Sequence, residues 1–175
     1  RIAGLPSAGV SYFVFSYAGL LAWNLFSGTL TGASTSLISN SALITKIYFP
    51  RLVVPISTFA SVLVNTVISF GVMLVLLALA GVGASTQLLL LPVWLLCAAV
   101  LAMGVAFCLT SVSVSYRDVN YVTPLLTQLL LYLSPVAYSV SAVPADLRTF
   151  YLVNPLATIV EGCRWSLLGG GSYLP

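Results

Sequence analysis

Residues 52–116 read LVVPISTFASVLVNTVISFGVMLVLLALAGVGASTQLLLLPVWLLCAAVLAMGVAFCLTSVSVSY, 65 positions without one charged side chain. A single membrane crossing takes roughly 20 apolar residues to cover about 30 Å of hydrocarbon. The stretch therefore holds more than one crossing. A second charge-free run, Ile2–Thr45, precedes it. A segment that crosses lipid must satisfy its backbone internally, as a helix or a closed barrel. A barrel would show short alternating strands, and these runs are long and continuous. The expected fold class is all-α: a polytopic helical membrane protein.

Composition agrees. Charged residues make up 5% of the chain and mean hydropathy is +1.12, whereas soluble domains carry about 25% charged residues. The net charge of +3 is too small and too scattered for a nucleic-acid footprint, so no nucleic-acid partner is expected. Cys97, Cys108 and Cys163 lack metal-ligand spacing, and the first two read as small hydrophobes. The chain starts at Arg1 without Met and stops at Pro175 after a glycine run, which reads as a fragment.

Four apolar segments stand out, at about Tyr12–Ile38, Leu52–Val82, Leu88–Ser115 and Val122–Val140. The second exceeds a straight crossing and is expected to tilt. The fourth barely reaches crossing length before Ser134-Pro135 interrupts it. Gly19, Gly28, Gly32, Ala33 and Ser36 in the first segment, with Gly104 and Ala106 in the third, offer small faces for close helix approach. Orientation stays open: Lys46, Arg51 and Arg117 fall on one side, and Arg1, Arg148 and Arg164 on the other.

Three polar stretches interrupt the apolar runs. In Asn40–Arg51, Asn40 or Ser41 can cap a helix, Leu43, Ile44 and Ile47 share one face, and Pro50 ends it. This describes an amphipathic helix on the membrane surface. Its readings are a basic anchor or a docking element for a soluble partner. In Tyr116–Asn120, Arg117 and Asp118 are an interfacial anchor or fix the fourth helix, which Asp118 or Asn120 could cap. In Ser134–Gly171, Pro144 opens one short helix. Asn154-Pro155, an N-cap and N1 pair, opens another that reaches about Leu168. Glu161 and Arg164 stand three apart and can pair on one helix face. The two short helices suggest a re-entrant or surface hairpin.

Aromatic residues cluster in the first segment and the tail, where an interfacial belt explains many of them. Trp23 and Tyr132 sit away from the ends of their segments, and amphipathic rings on a pore wall could offer sugar rings flat apolar faces and hydroxyl hydrogen bonds. Enzymatic chemistry finds little material. Histidine is absent, no nucleophile–base arrangement appears, and Gly169-Gly170-Gly171 lacks the Lys-Ser/Thr of a phosphate loop. Energy-driven work would need nucleotide chemistry on another chain.

Leu43–Arg51, Tyr116-Arg117-Asp118, Gln128 with Ser134-Pro135-Val136-Ala137-Tyr138, Pro144, Asn154-Pro155 and Arg164 occur in that order. The ordered set resembles the permease subunit of ABC type 2 exporters, in the branch that exports O-antigen, capsule or teichoic-acid chains. The resemblance implies a single permease domain over residues 1–175, incomplete at both ends. Four of six spans would be present, with a re-entrant hairpin over residues 143–169. Residues 40–50 would be a cytoplasmic coupling helix, with Leu43, Ile44, Lys46, Tyr48, Phe49 and Arg51 docking on the ATPase subunit. Many relatives have a second basic residue where Thr45 stands, a departure that weakens an electrostatic part of docking.

The resemblance further implies gating or structural roles for Arg117, Asp118, Ser134, Pro135, Asn154, Pro155, Glu161 and Arg164, and a translocation path past Tyr17, Trp23 and Tyr132. Expected partners are the ATPase subunit, a second permease copy, a lipid-linked glycan and membrane lipids, in the bacterial cytoplasmic (inner) membrane. No cofactor is expected on this chain; ATP and Mg would bind the partner subunit, and the chain itself would not be an enzyme. Competing readings are a type 2 permease for a drug or lipid, and a membrane scaffold that transports nothing.

Overall fold

The computed structural model describes residues 12–40, 52–79, 86–116, 118–134, 136 and 154–168. Among these the elements are helical: α1 (Tyr12–Ser39), α2 (Val53–Leu79), a 3-10 turn (Thr86–Leu90) leading into α3 (Leu91–Ser115), α4 (Val119–Leu133) and α5 (Pro155–Leu168). The first three apolar segments coincide with α1 to α3, the fourth with an α4 that ends at Leu133, short of the expected Val140, and the expected Asn154-Pro155 helix emerges as α5. The coupling stretch Leu43–Arg51, Arg117, Pro135 and the first arm of the hairpin lie outside the described residues.

Local chemistry explains the boundaries. Pro55 and Pro92 sit in the first turns of α2 and α3, where a missing N–H breaks no helical bond. α4 ends at Leu133 because Ser134 precedes Pro135. That neighbour disfavours helical backbone, and Ser134 is extended at φ −99°, ψ 134°. The same residue closes the helix by donating its N–H to Leu130 O at 2.8 Å. Pro124 lies inside α4 and removes one ladder donor there.

α1 is the central helix and packs against α2, α3, α4 and α5. Its fit against α3 rests on small residues. Ala98, Ala102 and Ala106 recur every fourth position of α3 and are fully buried, as is Ala33 of α1. Without bulk on that face the backbones approach closely, which is how helices associate where lipid supplies no hydrophobic drive. Thr110 Oγ1 reaches across the seam to Ala33 O at 3.3 Å. Trp23, Leu25, Phe26 and Leu30 of α1 fill the remaining space with Leu156, Val160 and Cys163 of α5. Gly104, expected at a helix interface, faces open space instead: nothing lies near the position of a Cβ there.

The outer faces are apolar. Val64, Val67, Ile68 and Val75 of α2, Leu96 and Val100 of α3, and Leu125 and Leu129 of α4 are exposed. Contiguous apolar surface on this scale suits lipid contact and not water. Two helical stretches, Val53–Leu79 and Gln87–Ser113, are long and apolar enough to cross a membrane, and Val119–Leu133 is a shorter apolar helix. The 27 residues of α2 span about 40 Å, more than the hydrocarbon thickness. α1 has the length of a span, 28 residues, but is more polar and sits at the centre of the bundle.

Candidate functional site

The described charges of α5 do not lie at a polar surface. Arg164 is fully buried and Glu161 nearly so, and the pair meets at 3.0 Å between Arg164 Nη1 and Glu161 Oε1, one turn apart. The i,i+3 spacing places both on one helix face. Arg164 Nη2 also donates to Val136 O, just past the end of α4. A guanidinium at this depth is tolerable only when paired and hydrogen-bonded, and it is both.

The pocket for that guanidinium depends on a glycine. A Cβ at Gly19 of α1 would sit 2.7 Å from Arg164 Nη2 and 2.7 Å from Val136 O. A second close fit holds the other side of α5. A Cβ at Gly162 would fall 2.4 Å from the Trp94 ring of α3. Cys163 is fully buried next to Arg164 on the same helix.

Polar links also tie the ends of α4 and α5 together. Asn154 caps α5: its Oδ1 accepts from Leu156 N–H at 3.0 Å. Its Nδ2 donates to Ser134 Oγ at 3.2 Å, and Ser134 is fully buried. Pro155 follows as the first helical residue, as its spacing from Asn154 predicts. Ser134, Val136, Asn154, Glu161, Arg164 and Gly19 therefore form one connected junction between α4, α5 and α1.

The aromatic candidates separate. Tyr17 is half-buried and donates from its hydroxyl to Ser69 O of α2 at 3.3 Å. Tyr132 stands exposed on α4. Trp23 does not lie on an exposed wall: it is 6% exposed and packs at a tilt on Phe26, ring centroids 6.0 Å apart. Its indole fills core space between α1, α3 and α5. Asp118 precedes α4 but does not cap it through its side chain, because its own backbone is already helical at φ −67°, ψ −20°. It is exposed, and its carbonyl accepts from Tyr121 and Val122 N–H.

Two side chains escaped the sequence reading. Asn24 and Asn65 are exposed near the middles of α1 and α2. The available signal was a carboxamide in the heart of each of two charge-free segments. Around them runs a polar strip. Thr31, Thr35 and Ser39 continue the exposed side of α1, and Ser57, Ser61, Asn65 and Ser69 recur every fourth residue along α2. Several hydroxyls satisfy themselves on their own helix, as Thr35 does with Thr31 O at 3.0 Å and Ser61 with Ser57 O at 3.3 Å.

Residues 4–168 match the family model described as ABC-2 type transporter. The chain is 29% identical over 148 residues to the "O-antigen export system permease protein RfbA" of Myxococcus xanthus, covering 83% of this chain and 57% of that protein. It is 26% identical over 161 residues to a protein of the same name from Klebsiella pneumoniae, covering 91% and 62%. The chain thus spans about three-fifths of the length of the curated relatives it matches. A family model satisfied along nearly the whole chain, on a bundle whose described elements are helical and largely apolar outside, makes this protein a member of the ABC-2 type transporter family.

Proposed function

We propose that this chain is part of the membrane-spanning subunit of an ATP-driven exporter that moves a lipid-linked polysaccharide across the bacterial cytoplasmic membrane. The observation that carries the reading is the polar strip of α1 and α2, set in a bundle whose outer faces also carry extensive apolar surface. A wall of hydroxyls and amides at membrane depth suits hydrophilic cargo. The likeness to permeases named for O-antigen export supplies the cargo class.

In this reading residues 40–50 form the coupling helix. Leu43, Ile44, Tyr48 and Phe49 present its apolar and aromatic surface to the ATPase subunit, and Lys46 and Arg51 supply charge. ATP and Mg act on that partner. The coupling segment joins the end of α1 directly to the start of α2. A displacement there would be delivered to the base of the central helix, which touches every other described helix. Packed interfaces shift between discrete arrangements and do not deform continuously. The junction of Gly19 with Arg164 would pass the shift on to α5, the second arm of a re-entrant hairpin over residues 143–169. Two permease copies would enclose the path.

Co-purification of the full-length chain with its ATPase subunit tests the proposal. A stable complex that Lys46→Glu with Arg51→Glu disrupts, while insertion is retained, supports it. A correctly inserted chain that forms no ATPase complex in detergent or nanodisc supports the scaffold reading. Competition with purified lipid-linked glycan separates polysaccharide from drug or lipid cargo.

A further inference from the structure

Between α1 and α2 lies a recess of about 270 Å³, lined by Asn24 and Gly28 on one side and Val62, Asn65, Thr66 and Ser69 on the other. Gly28 sets its lower edge: a Cβ there would already touch Val62 at 3.3 Å, so the helices are close at that level. One turn away the seam opens, and two carboxamides stand over the gap. At the other end Tyr17 bonds to Ser69 O.

The polar atoms of this recess differ in how they are satisfied. Thr66 Oγ1 donates to Val62 O of its own helix at 2.9 Å and makes little demand on its surroundings. A carboxamide carries two donors and an acceptor with two lone pairs. No hydrogen-bond partner for Asn24 or Asn65 appears among the described residues, and both are exposed. Leaving an amide in hydrocarbon costs about 4–8 kcal/mol. Two of them facing one recess near mid-span therefore call for water or a polar ligand.

We propose that the Asn24–Asn65 recess is a water-filled carbohydrate subsite, in which the two carboxamides hydrogen-bond the hydroxyls of one sugar unit as the glycan passes mid-membrane. The inference rests on the exporter reading and adds a location and a chemistry to it. An amide both donates and accepts, which matches the dual character of a hydroxyl. Val62 beside Gly28 offers an apolar floor for the C–H face of a sugar ring. Pockets that hold drug-sized ligands run about 300–1,000 Å³, so this smaller recess suits a single ring at a time. Such a site grips weakly and lets go, as a conducting path requires.

The test uses the full-length permease with its ATPase subunit in nanodiscs, with exposed Cys97 and Cys108 replaced by Ser and fully buried Cys163 retained. Single cysteines are placed at Asn24, at Asn65 and, as a lipid-facing control, at Val67. A charged, membrane-impermeant methanethiosulfonate is then applied. Thiolate is the reacting form, and a thiol whose pKa rises by one unit in lipid keeps about a tenth of it. Asn24→Cys and Asn65→Cys are expected to react at least about ten-fold faster than Val67→Cys.

Polyprenyl-diphosphate-linked glycan from the host at ten times its Kd leaves about a tenth of sites free, so labelling is expected to slow about ten-fold. The same lipid stripped of sugar should not slow it. Labelling no faster than the control overturns the proposal, and a disulfide between two Asn24→Cys copies would then assign the face to the second permease. Fast labelling that glycan does not slow also overturns it, leaving an aqueous recess without a carbohydrate role. Failure of the exporter reading is visible separately, because the parent protein would then form no ATPase complex. The two positions report independently if one variant does not insert.

Discussion

Arg164 and Gly19 are matched across the α1–α5 interface: the guanidinium occupies the space where a side chain at residue 19 would start, with the added Cβ only 2.7 Å from Nη2. The guanidinium could swing aside, but Val136 O stands equally close and belongs to the backbone. Gly19→Ala should therefore destabilise the bundle by about 1–3 kcal/mol, the usual range for an overpacked interior. Thermal unfolding of the full-length protein in detergent, read by intrinsic fluorescence, checks this. An unchanged midpoint would show that the interface is looser than described.

The Glu161–Arg164 pair predicts non-additive mutants. Glu161→Leu alone leaves a buried guanidinium without its carboxylate and should cost about 3–5 kcal/mol. Arg164→Met alone strands Glu161 and breaks the link to Val136 O. The double variant removes both charges and should be more stable than either single variant. A double-mutant cycle on unfolding midpoints measures the coupling. Strict additivity would mean that the two side chains do not act as a pair.

Trp94 and Gly162 offer a cleaner steric test, because an indole ring cannot bend away. Gly162→Ala places a methyl 2.4 Å from that ring. It should lower stability and expression more than Gly19→Ala does. Trp94→Leu in the same chain should recover part of the loss, since a smaller, flexible side chain vacates the space. Absence of recovery would place the defect elsewhere.

Asn154 does two jobs, and two substitutions separate them. Asn154→Asp keeps an oxygen to cap Leu156 N–H but loses the donation to Ser134 Oγ. Asn154→Ala loses both. Alanine should cost about 1–2 kcal/mol through the cap, and aspartate less. Equal losses would mean that the bond to Ser134 dominates, which hydrogen exchange at the start of α5 would resolve.

The cysteines predict a reactivity order. Cys97 and Cys108 are exposed on α3, while Cys163 is buried beside Arg164. A lipid-soluble maleimide should label the first two in the folded protein and Cys163 only after denaturation, as mass spectrometry of the peptides would show. Early labelling of Cys163 would contradict the packing of α5.

What was legible in the residues was whatever depends on one segment at a time. The charge-free runs made α1 to α4, Ser134-Pro135 ended α4, and Asn154-Pro155 opened α5, because solvent preference and backbone sterics act locally. The pairing of Glu161 with Arg164 followed from helical spacing for the same reason. What only the tertiary structure decided was which face of each helix meets which neighbour. An apolar residue in lipid is equally content outside or inside, so hydropathy carries little rotational information. Hence Trp23 turned out to be core, Gly104 faced open space, and Gly19 acquired meaning only beside Arg164. Asn24 and Asn65 became a site only when packing set α1 against α2 and put two amides on one recess.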